Sequence, residues 1–252
     1  MQLIPFNLTE AKDTGFFVCG ISKSGKTTLC KHIVRTIVDS GISVYVMDVS
    51  RAWTQDTPIS NVIEVQDNDD VTLPTNTSTV LDLSQLGYEE RSHYVNAFTK
   101  EIYDWHRDKG YKKAPFEFII YEEADTYLRS GCFNSPRKHS PLVDLVQLGV
   151  NFNLRYGAIT QCPSMIDKTV VKTCQQRYFG WITDDDDLGY IKNFTGKEHT
   201  DREQPESVFN LCKGQFLYQY GNNIEKIQSS PYESRKCNFT LNGQSVEFAF
   251  DL

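Results

Sequence analysis

The sequence lacks the patterns that mark several protein classes. Its apolar runs, such as residues 42–47, are far shorter than the ~20 residues needed to cross a bilayer. Its amino-terminus also lacks the basic and apolar regions of a signal peptide. Its seven cysteines are odd in number and form no C-x-x-C pair, so neither a disulfide framework nor a structural zinc site is indicated. We expect a cytoplasmic chain with free thiols and no stable membrane insertion.

Repeats, low-complexity stretches and an excess of positive charge are also missing. With 39% hydrophobic and 23% charged residues, the composition is that of an ordinary globular protein. We predict one domain over residues 1–252, with a core at about 14–220 and a carboxyl-terminal extension at about 221–252. The net charge of −7 excludes nucleic-acid binding over the whole surface, because phosphates need clustered lysine and arginine. Any such contact must be local.

Short apolar runs alternate with segments of helical periodicity along the chain. This alternation predicts an α/β fold with a mainly parallel sheet and helices on both faces. The predicted strands are residues 16–19, 42–47, 62–65, 79–83, 116–121 and 154–160, and the predicted helices are 28–38, 89–106, 142–150 and 170–176.

A glycine-rich loop follows the first strand. Residues Gly20 to Thr27 read G-I-S-K-S-G-K-T and match the phosphate-binding pattern G-x-x-x-x-G-K-[ST]. Glycines let successive N–H groups converge on phosphate oxygens, and the following helix points its positive end at the same anion. We expect Lys26 to bridge the β- and γ-phosphates and Thr27 to hold Mg²⁺. The residues predicted to bind ATP are Gly20, Ile21, Ser22, Lys23, Ser24, Gly25, Lys26, Thr27 and Thr28.

Two adjacent acids end a later buried strand. The apolar residues 118–121 run directly into Glu122 and Glu123. In a phosphate-loop ATPase the first acid orients Mg²⁺ and the second polarises the attacking water. We assign these two roles to Glu122 and Glu123 in that order. The five histidines show no ligand spacing, so Mg²⁺ accompanying ATP is the only cofactor we expect.

Three segments resemble the FtsK/HerA superfamily of ATPases. Residues 121–125, Y-E-E-A-D, resemble the E-E-A-H segment of HerA-type ATPases, and residues 157–167 are similar to the strand that ends in S/T-Q-R-P-S. Residues 82–91 also resemble a HerA segment. The resemblance covers roughly residues 14–220 and implies a RecA-like fold. The compact chain, whose phosphate loop begins at Gly20, is most similar in layout to viral DNA-packaging ATPases.

The resemblance also implies roles for a glutamine and an arginine. Gln161 stands where the family's glutamine contacts the γ-phosphate or its water, so we assign it a catalytic role with Glu123 and Lys26. Cys162 stands where the family often has arginine. An arginine finger from a neighbouring subunit is therefore expected elsewhere, with Arg129, Arg137 and Arg177 as candidates.

The family implies a function as well as a fold. We expect a homo-oligomeric ring, a hexamer by resemblance, that hydrolyses ATP at subunit interfaces and moves double-stranded DNA. The preferred hypothesis is viral genome packaging, which would involve a capsid or portal-type docking protein and a location in host cytoplasm or the virion. The alternative process is the pumping of plasmid or chromosome DNA. A phage-assembly ATPase acting on protein or membrane stays open. So does an ATP-binding switch or structural subunit with weak turnover.

Overall fold

A computed structural model describes residues 4–55, 57–67, 70–74, 77–130 and 140–229, together with the backbone of two further strands at 237–241 and 244–248. The helices are α1 (Leu8–Thr14), α2 (Lys26–Asp39), α3 (Tyr88–Lys109), α4 (Pro141–Leu148), α5 (Lys168–Thr173) and α6 (Asp185–Thr195). The strands are β1 (Phe16–Cys19), β2 (Ser43–Asp48), β3 (Asn61–Glu64), β4 (Thr79–Asp82), β5 (Glu117–Tyr121), β6 (Leu154–Thr160), β7 (Gln176–Phe179), β8 (Gln215–Tyr220), β9 (Asn223–Gln228), β10 (Cys237–Leu241) and β11 (Gln244–Phe248).

The main sheet has nine strands in the order β3-β4-β2-β5-β6-β1-β7-β8-β9. The pairs from β3 to β7 are all parallel, whereas β8 pairs antiparallel with β7 and β9 antiparallel with β8. Strands β10 and β11 form a separate antiparallel hairpin. The predicted mainly parallel α/β sheet is therefore confirmed.

The sheet is buried on both faces, which is why its strands read as continuous apolar runs. Successive residues of β1 divide between two cores: Phe17 and Cys19 belong to the core beneath α3, α4, α5 and α6, and Phe16 and Val18 to the core beneath α1 and α2. At Gly157 an added Cβ would lie 2.4 Å from the Phe16 ring. Glycine at this place lets the ring pack directly on β6.

The strand order brings four strand ends together. The strands β1, β6, β5 and β2 are neighbours and run in the same direction. Their carboxyl ends therefore meet at one edge of the sheet, where ligands bind in open parallel sheets. The phosphate loop, Gln161, the acidic pair and Asp48 follow or end these strands.

The described core extends beyond the predicted boundary at residue 220. Strand β9 continues the main sheet to Gln228, and Ile227 is buried in the core. At the other end, α1 adds Ala11 to the core, ahead of the predicted start at residue 14.

Candidate active site

The phosphate loop curls between β1 and α2. Gly20 and Gly25 have φ of 149° and 105°, values that only glycine adopts without strain. A Cβ at Gly20 would also lie 2.8 Å from the Ser24 hydroxyl oxygen. Lys23 takes a left-handed φ of 63° at the tip of the loop. The glycines therefore allow the loop to close on itself, as the motif predicted.

The side chain of Lys26 lies inside this loop. Its Nζ donates to the carbonyl oxygen of Ile21 at 2.9 Å. Burial lowers the pKa of Lys26, and the charge of Glu123 is the largest of the effects that oppose this shift. Lys26 is 8% exposed, so its ammonium group is held at the centre of the loop, within reach of a bound anion.

Thr27 and Glu122 meet at the start of α2. The Thr27 hydroxyl donates to Oε1 of Glu122 at 3.3 Å. On the other side, the Ser50 hydroxyl lies 2.9 Å from Oε2 of Glu122 and 3.3 Å from Oδ1 of Asp48. Hydroxyl and carboxylate oxygens are ligands that suit Mg²⁺. The described residues contain no cluster of three or more histidine, cysteine or acidic side chains suited to a metal, whereas Mg²⁺ carried by a nucleotide needs only one or two carboxylates beside the phosphates.

The two acids of this cluster are close enough to affect each other. Burial raises the pKa of Glu122 to about 8, and the hydrogen bond and negative charge of Asp48 add to the shift. Asp48 is fully buried and accepts hydrogen bonds from the backbone N–H groups of Ser50 and Trp53. A divalent cation would remove the repulsion between these acids by replacing their shared proton.

Glu123 and Gln161 form the second half of the site. Gln161 Nε2 donates to Oε1 of Glu123, which joins the end of β6 to the end of β5. Glu123 has a left-handed φ of 49°, a strained backbone for a residue with a side chain. The strain turns the Glu123 carboxylate away from the direction of β5 and towards Gln161.

Two carboxylates hold the chain on either side of Gln161. Asp125 accepts from the Thr160 hydroxyl at 2.6 Å, and that hydroxyl accepts from the Cys162 N–H at 3.1 Å. Asp187, at the start of α6, accepts from the Ser164 N–H at 2.9 Å. The position of Gln161 is therefore fixed from both β5 and α6.

The β8–β9 hairpin supports the phosphate loop from behind. Gly214, which precedes β8, donates its N–H to the carbonyl oxygen of Ser24 at 2.7 Å, and Ser229 donates to Gly214 at 2.8 Å. A Cβ at Gly25 would lie only 3.1 Å from the Cα of Gly214. The two glycines thus pack backbone against backbone.

The arginine candidates lie in different surroundings. Arg129 is exposed beside the acidic pair, with its Nε donating to the Asp125 carbonyl oxygen at 2.9 Å. All three guanidinium nitrogens of Arg177 are hydrogen-bonded within the chain, to Val171, Gln219 and Lys172. This anchoring joins β7 to α5 and β8 and does not suit a finger. Arg137 lies outside the described residues.

Sequence reasoning missed Asp48, Ser50 and Asp187 as site residues. Asp48 ends a buried strand in the same way as Glu122, so the rule that identified the acidic pair would also have found it. Asp187 lies in a run of four consecutive acids, a pattern that usually caps a helix or faces solvent. Asp184 does cap α6, but Asp187 is 6% exposed and faces the Gln161 loop.

Comparisons with known proteins give structural neighbours. No model of a known protein family matches the chain, and no curated protein matches it. It is similar to the genome packaging NTPase B204 from Sulfolobus turreted icosahedral virus 2 in complex with sulfate, with TM-score 0.59 and 15% identity over 89% of this chain and 99% of that one. It is also similar to the plasmid coupling protein TrwB in complex with a GTP analogue, with TM-score 0.66 and 9% identity over 89% and 87% of the two chains.

A third neighbour is the pCW3 conjugation coupling protein TcpA, with TM-score 0.53 and 11% identity over 86% of this chain and 60% of that one. Among the described residues no helix has the length and apolarity needed to span a bilayer. At these identities the comparisons establish the fold, and the expected likeness to a viral packaging ATPase is confirmed at that level. The chain has the RecA-like fold of phosphate-loop NTPases that it shares with the B204 packaging NTPase and the TrwB and TcpA coupling proteins.

Proposed function

We propose that this protein is an ATPase that uses hydrolysis to move double-stranded DNA, and that the process it serves is viral genome packaging. The observation that carries the proposal is the contact between Glu123 and Gln161 beside the phosphate loop. These two side chains converge from β5 and β6 on the side of β1 where the γ-phosphate would lie. Such a pair suits water as the nucleophile, because a carboxylate accepts a proton and the amide orients the oxygen.

Each part of the site has a role in this reaction. Lys26 would neutralise charge on the β- and γ-phosphates, and the loop N–H groups would bind their oxygens. Thr27 and Glu122, with Asp48 behind them, would hold Mg²⁺. The ion supplies electrostatic stabilisation of charge that develops on the phosphates. Glu123 would take the proton of the attacking water, with Gln161 keeping that carboxylate in place.

Coupling to DNA is supported by the neighbours. B204 is a DNA-packaging ATPase by name, and TrwB and TcpA are conjugative coupling proteins. We propose that this chain acts on duplex DNA in the same way, as a homo-oligomeric ring, a hexamer, that docks on a capsid or portal-type protein. The net charge of −7 restricts DNA contacts to a few local loops.

A ring would complete each site with an arginine from the neighbouring subunit. Arg129 and Arg137 remain the candidates, because both lie in the segment that follows the acidic pair and Arg129 is exposed. An arginine finger supplied in trans is worth roughly 10³–10⁵ in rate. Hydrolysis should therefore rise steeply with protein concentration as subunits assemble.

Steady-state ATP hydrolysis with and without double-stranded DNA tests the proposal. The variants are Lys26→Ala and Glu123→Gln, matched by Lys192→Ala and Glu203→Gln at exposed positions away from the loop. We expect DNA to stimulate the parent and both controls. Glu123→Gln should lose about 10²–10⁴-fold in rate while still binding ATP, and Lys26→Ala should lose binding as well.

Two other outcomes would redirect the assignment. Hydrolysis that is equal with and without DNA would contradict the DNA motor and favour an assembly ATPase acting on protein or membrane. Binding without hydrolysis, even at concentrations where the chain assembles, would favour a nucleotide-binding switch or structural subunit.

A further inference from the structure

An exposed tryptophan lies beside the phosphate loop, on the side away from the catalytic pair. Trp181 follows β7, and its carbonyl oxygen accepts the N–H of Ile21 at 2.8 Å. Its neighbour Gly180 is close to the loop as well, since a Cβ at Gly20 would lie 3.2 Å from the Gly180 Cα. Trp181 is therefore fixed by its backbone to the rim of the nucleotide site.

The indole of Trp181 is available for a ligand. It is 37% exposed, whereas Trp53 is completely buried. Within the described residues, no ring or cation stacks on Trp181. A large aromatic side chain that is held at the mouth of a site and left part-exposed is a stacking surface, because aromatic faces bind flat ring systems.

The strand order sets the direction in which a nucleotide must lie. Strand β1 has β6 on one side and β7 on the other, and β5 lies beyond β6. In the proposed site, Glu122, Glu123 and Gln161 would hold the terminal phosphate and its metal at the ends of β5 and β6. The rest of the nucleotide then extends past the loop towards β7. At ~4.8 Å per strand, the end of β7 lies about 14 Å from the end of β5, so the two ends can contact opposite parts of one nucleotide.

Charge near Trp181 favours a base and disfavours a phosphate. Asp184, Asp185 and Asp186 follow within five residues and are all exposed. These carboxylates would repel an anion, but they do not oppose a neutral heterocycle. The only part of a nucleoside triphosphate that combines a flat aromatic surface with no charge is its base.

We infer that Trp181 is the stacking platform for the purine base of the bound nucleoside triphosphate. This inference rests on the proposed function, because it assumes that the loop binds a nucleotide. It concerns binding alone, so it holds whether or not the bound nucleotide is hydrolysed. Stacking of a base on an aromatic side chain is worth roughly 1–3 kcal/mol.

Binding of ATP and of inorganic tripolyphosphate to the full chain, each with Mg²⁺, tests this inference by calorimetry. Tripolyphosphate has the phosphates without the base. Trp181→Ala should weaken ATP binding by about 5- to 150-fold, the equivalent of 1–3 kcal/mol, and leave tripolyphosphate binding unchanged. Trp181→Phe keeps an aromatic face and should stay near the parent.

Fluorescence gives a second readout. The chain has three tryptophans, of which Trp53 is buried and Trp105 lies on α3, away from the nucleotide site. A non-hydrolysable ATP analogue should quench the parent more than tripolyphosphate does, and Trp181→Phe should lose this difference.

Equal weakening of both ligands by Trp181→Ala would overturn the inference, since the residue would then shape the loop and not the base site. Unchanged ATP affinity in that variant would overturn it too. A parent that binds neither ligand would overturn this inference together with the proposed function. A parent that binds ATP through Trp181 but does not hydrolyse it would reject only the proposed hydrolysis.

Discussion

The carboxyl groups of Asp48 and Glu122 are hydrogen-bonded to each other at the ends of the adjacent strands β2 and β5. Two buried carboxylates in contact cannot both carry full charge, so the pair retains a proton. The Ser50 hydroxyl lies against both acids. This relationship makes the chemistry of the site dependent on pH.

The stability of the protein should fall as pH rises towards 8. The pKa of Glu122 is raised from 4.5 to about 8 in the folded chain, so the folded state binds more protons than the unfolded state between these values. Unfolding free energy therefore decreases as pH rises through this window. Asp48→Asn removes one of the causes of the shift. Its unfolding free energy, measured by urea unfolding, should vary less between pH 5.5 and 8.5 than that of the parent, by about 1.4 kcal/mol for each unit by which the pKa of Glu122 falls.

Asp67→Asn, at an exposed position, is the matched control, and its unfolding free energy should depend on pH as that of the parent does. If Asp48→Asn keeps the pH dependence of the parent as well, the contact with Asp48 is not what shifts the pKa of Glu122.

Mg²⁺ should bind more tightly at higher pH. A metal ligand must lose its proton before it coordinates, and burial keeps Glu122 protonated up to about 8. The Mg²⁺ concentration for half-maximal hydrolysis should therefore be higher at pH 6.5 than at pH 8.5. Asp48→Asn should reduce the difference, because less repulsion acts on Glu122. An unchanged Mg²⁺ requirement across this range would show that Glu122 does not contact the ion.

Gln161 should affect turnover and not nucleotide binding. Gln161→Leu keeps the size of the side chain but removes the donor to Glu123, so kcat should drop about 10²-fold with KM near that of the parent. Gln175→Leu, at an exposed position just before β7 and at the opposite edge of the sheet, is the control and should have no effect. A rise in KM at constant kcat would mean that Gln161 binds the ground state instead.

Asp187 should act by positioning the Gln161 loop. Asp187→Ala leaves the Ser164 N–H without its acceptor, which we expect to cost about 1–3 kcal/mol of stability and to lower kcat. Asp187→Asn retains a carbonyl oxygen and should recover most of both. Thermal unfolding and hydrolysis measured on the same samples separate the two effects. Equal loss in both variants would point to the charge of Asp187 as the required property.

A buried pair at the opposite end of the sheet should matter for stability alone. His106 has Nε2 2.8 Å from Glu117 and Nδ1 2.8 Å from the Phe152 carbonyl oxygen, and Tyr45 donates to Glu117 at 2.8 Å. His106→Phe leaves Glu117 with Tyr45 alone and should cost about 3–5 kcal/mol in urea unfolding.

Replacing both His106 and Glu117 by leucine should cost less than the single change, because no buried carboxylate is then left short of a partner. The ATP affinity of His106→Phe and of the double variant, measured where each is folded, should equal that of the parent. A double variant that is less stable than His106→Phe would contradict this account of the pair.

Much of the fold could be predicted because buried parallel strands leave a plain apolar signal. The predicted bounds of β1 and β6 agree with the structure, those of β4 and β5 differ by one residue at one end, and those of β2 and β3 are shifted by one residue at both ends. The strands β7, β8 and β9 were not predicted. In β9, at the antiparallel edge of the sheet, exposed and buried residues mix, so no apolar run marks the strand. Helix α1, only seven residues long, is too short for its periodicity to stand out.

The site was predictable where one local motif specifies it and unpredictable where distant segments meet. Lys26 and Thr27 belong to a continuous pattern, so their placement follows from the sequence. The hydrogen bond that the Ser164 N–H donates to Asp187 joins residues 23 apart, and the contact of Asp48 with Glu122 depends on the pairing of β2 with β5. No pattern within a single segment records either contact.

Backbone hydrogen bonds connect the β8–β9 hairpin directly to the phosphate loop. Among the described residues, two backbone hydrogen bonds, from Ser229 to Gly214 and from Gly214 to Ser24, connect the end of β9 to the loop. A pull applied to the polypeptide beyond Ser229 would load these two bonds. Tension on that end of the chain would thus be transmitted to Ser24, within the proposed phosphate-binding loop.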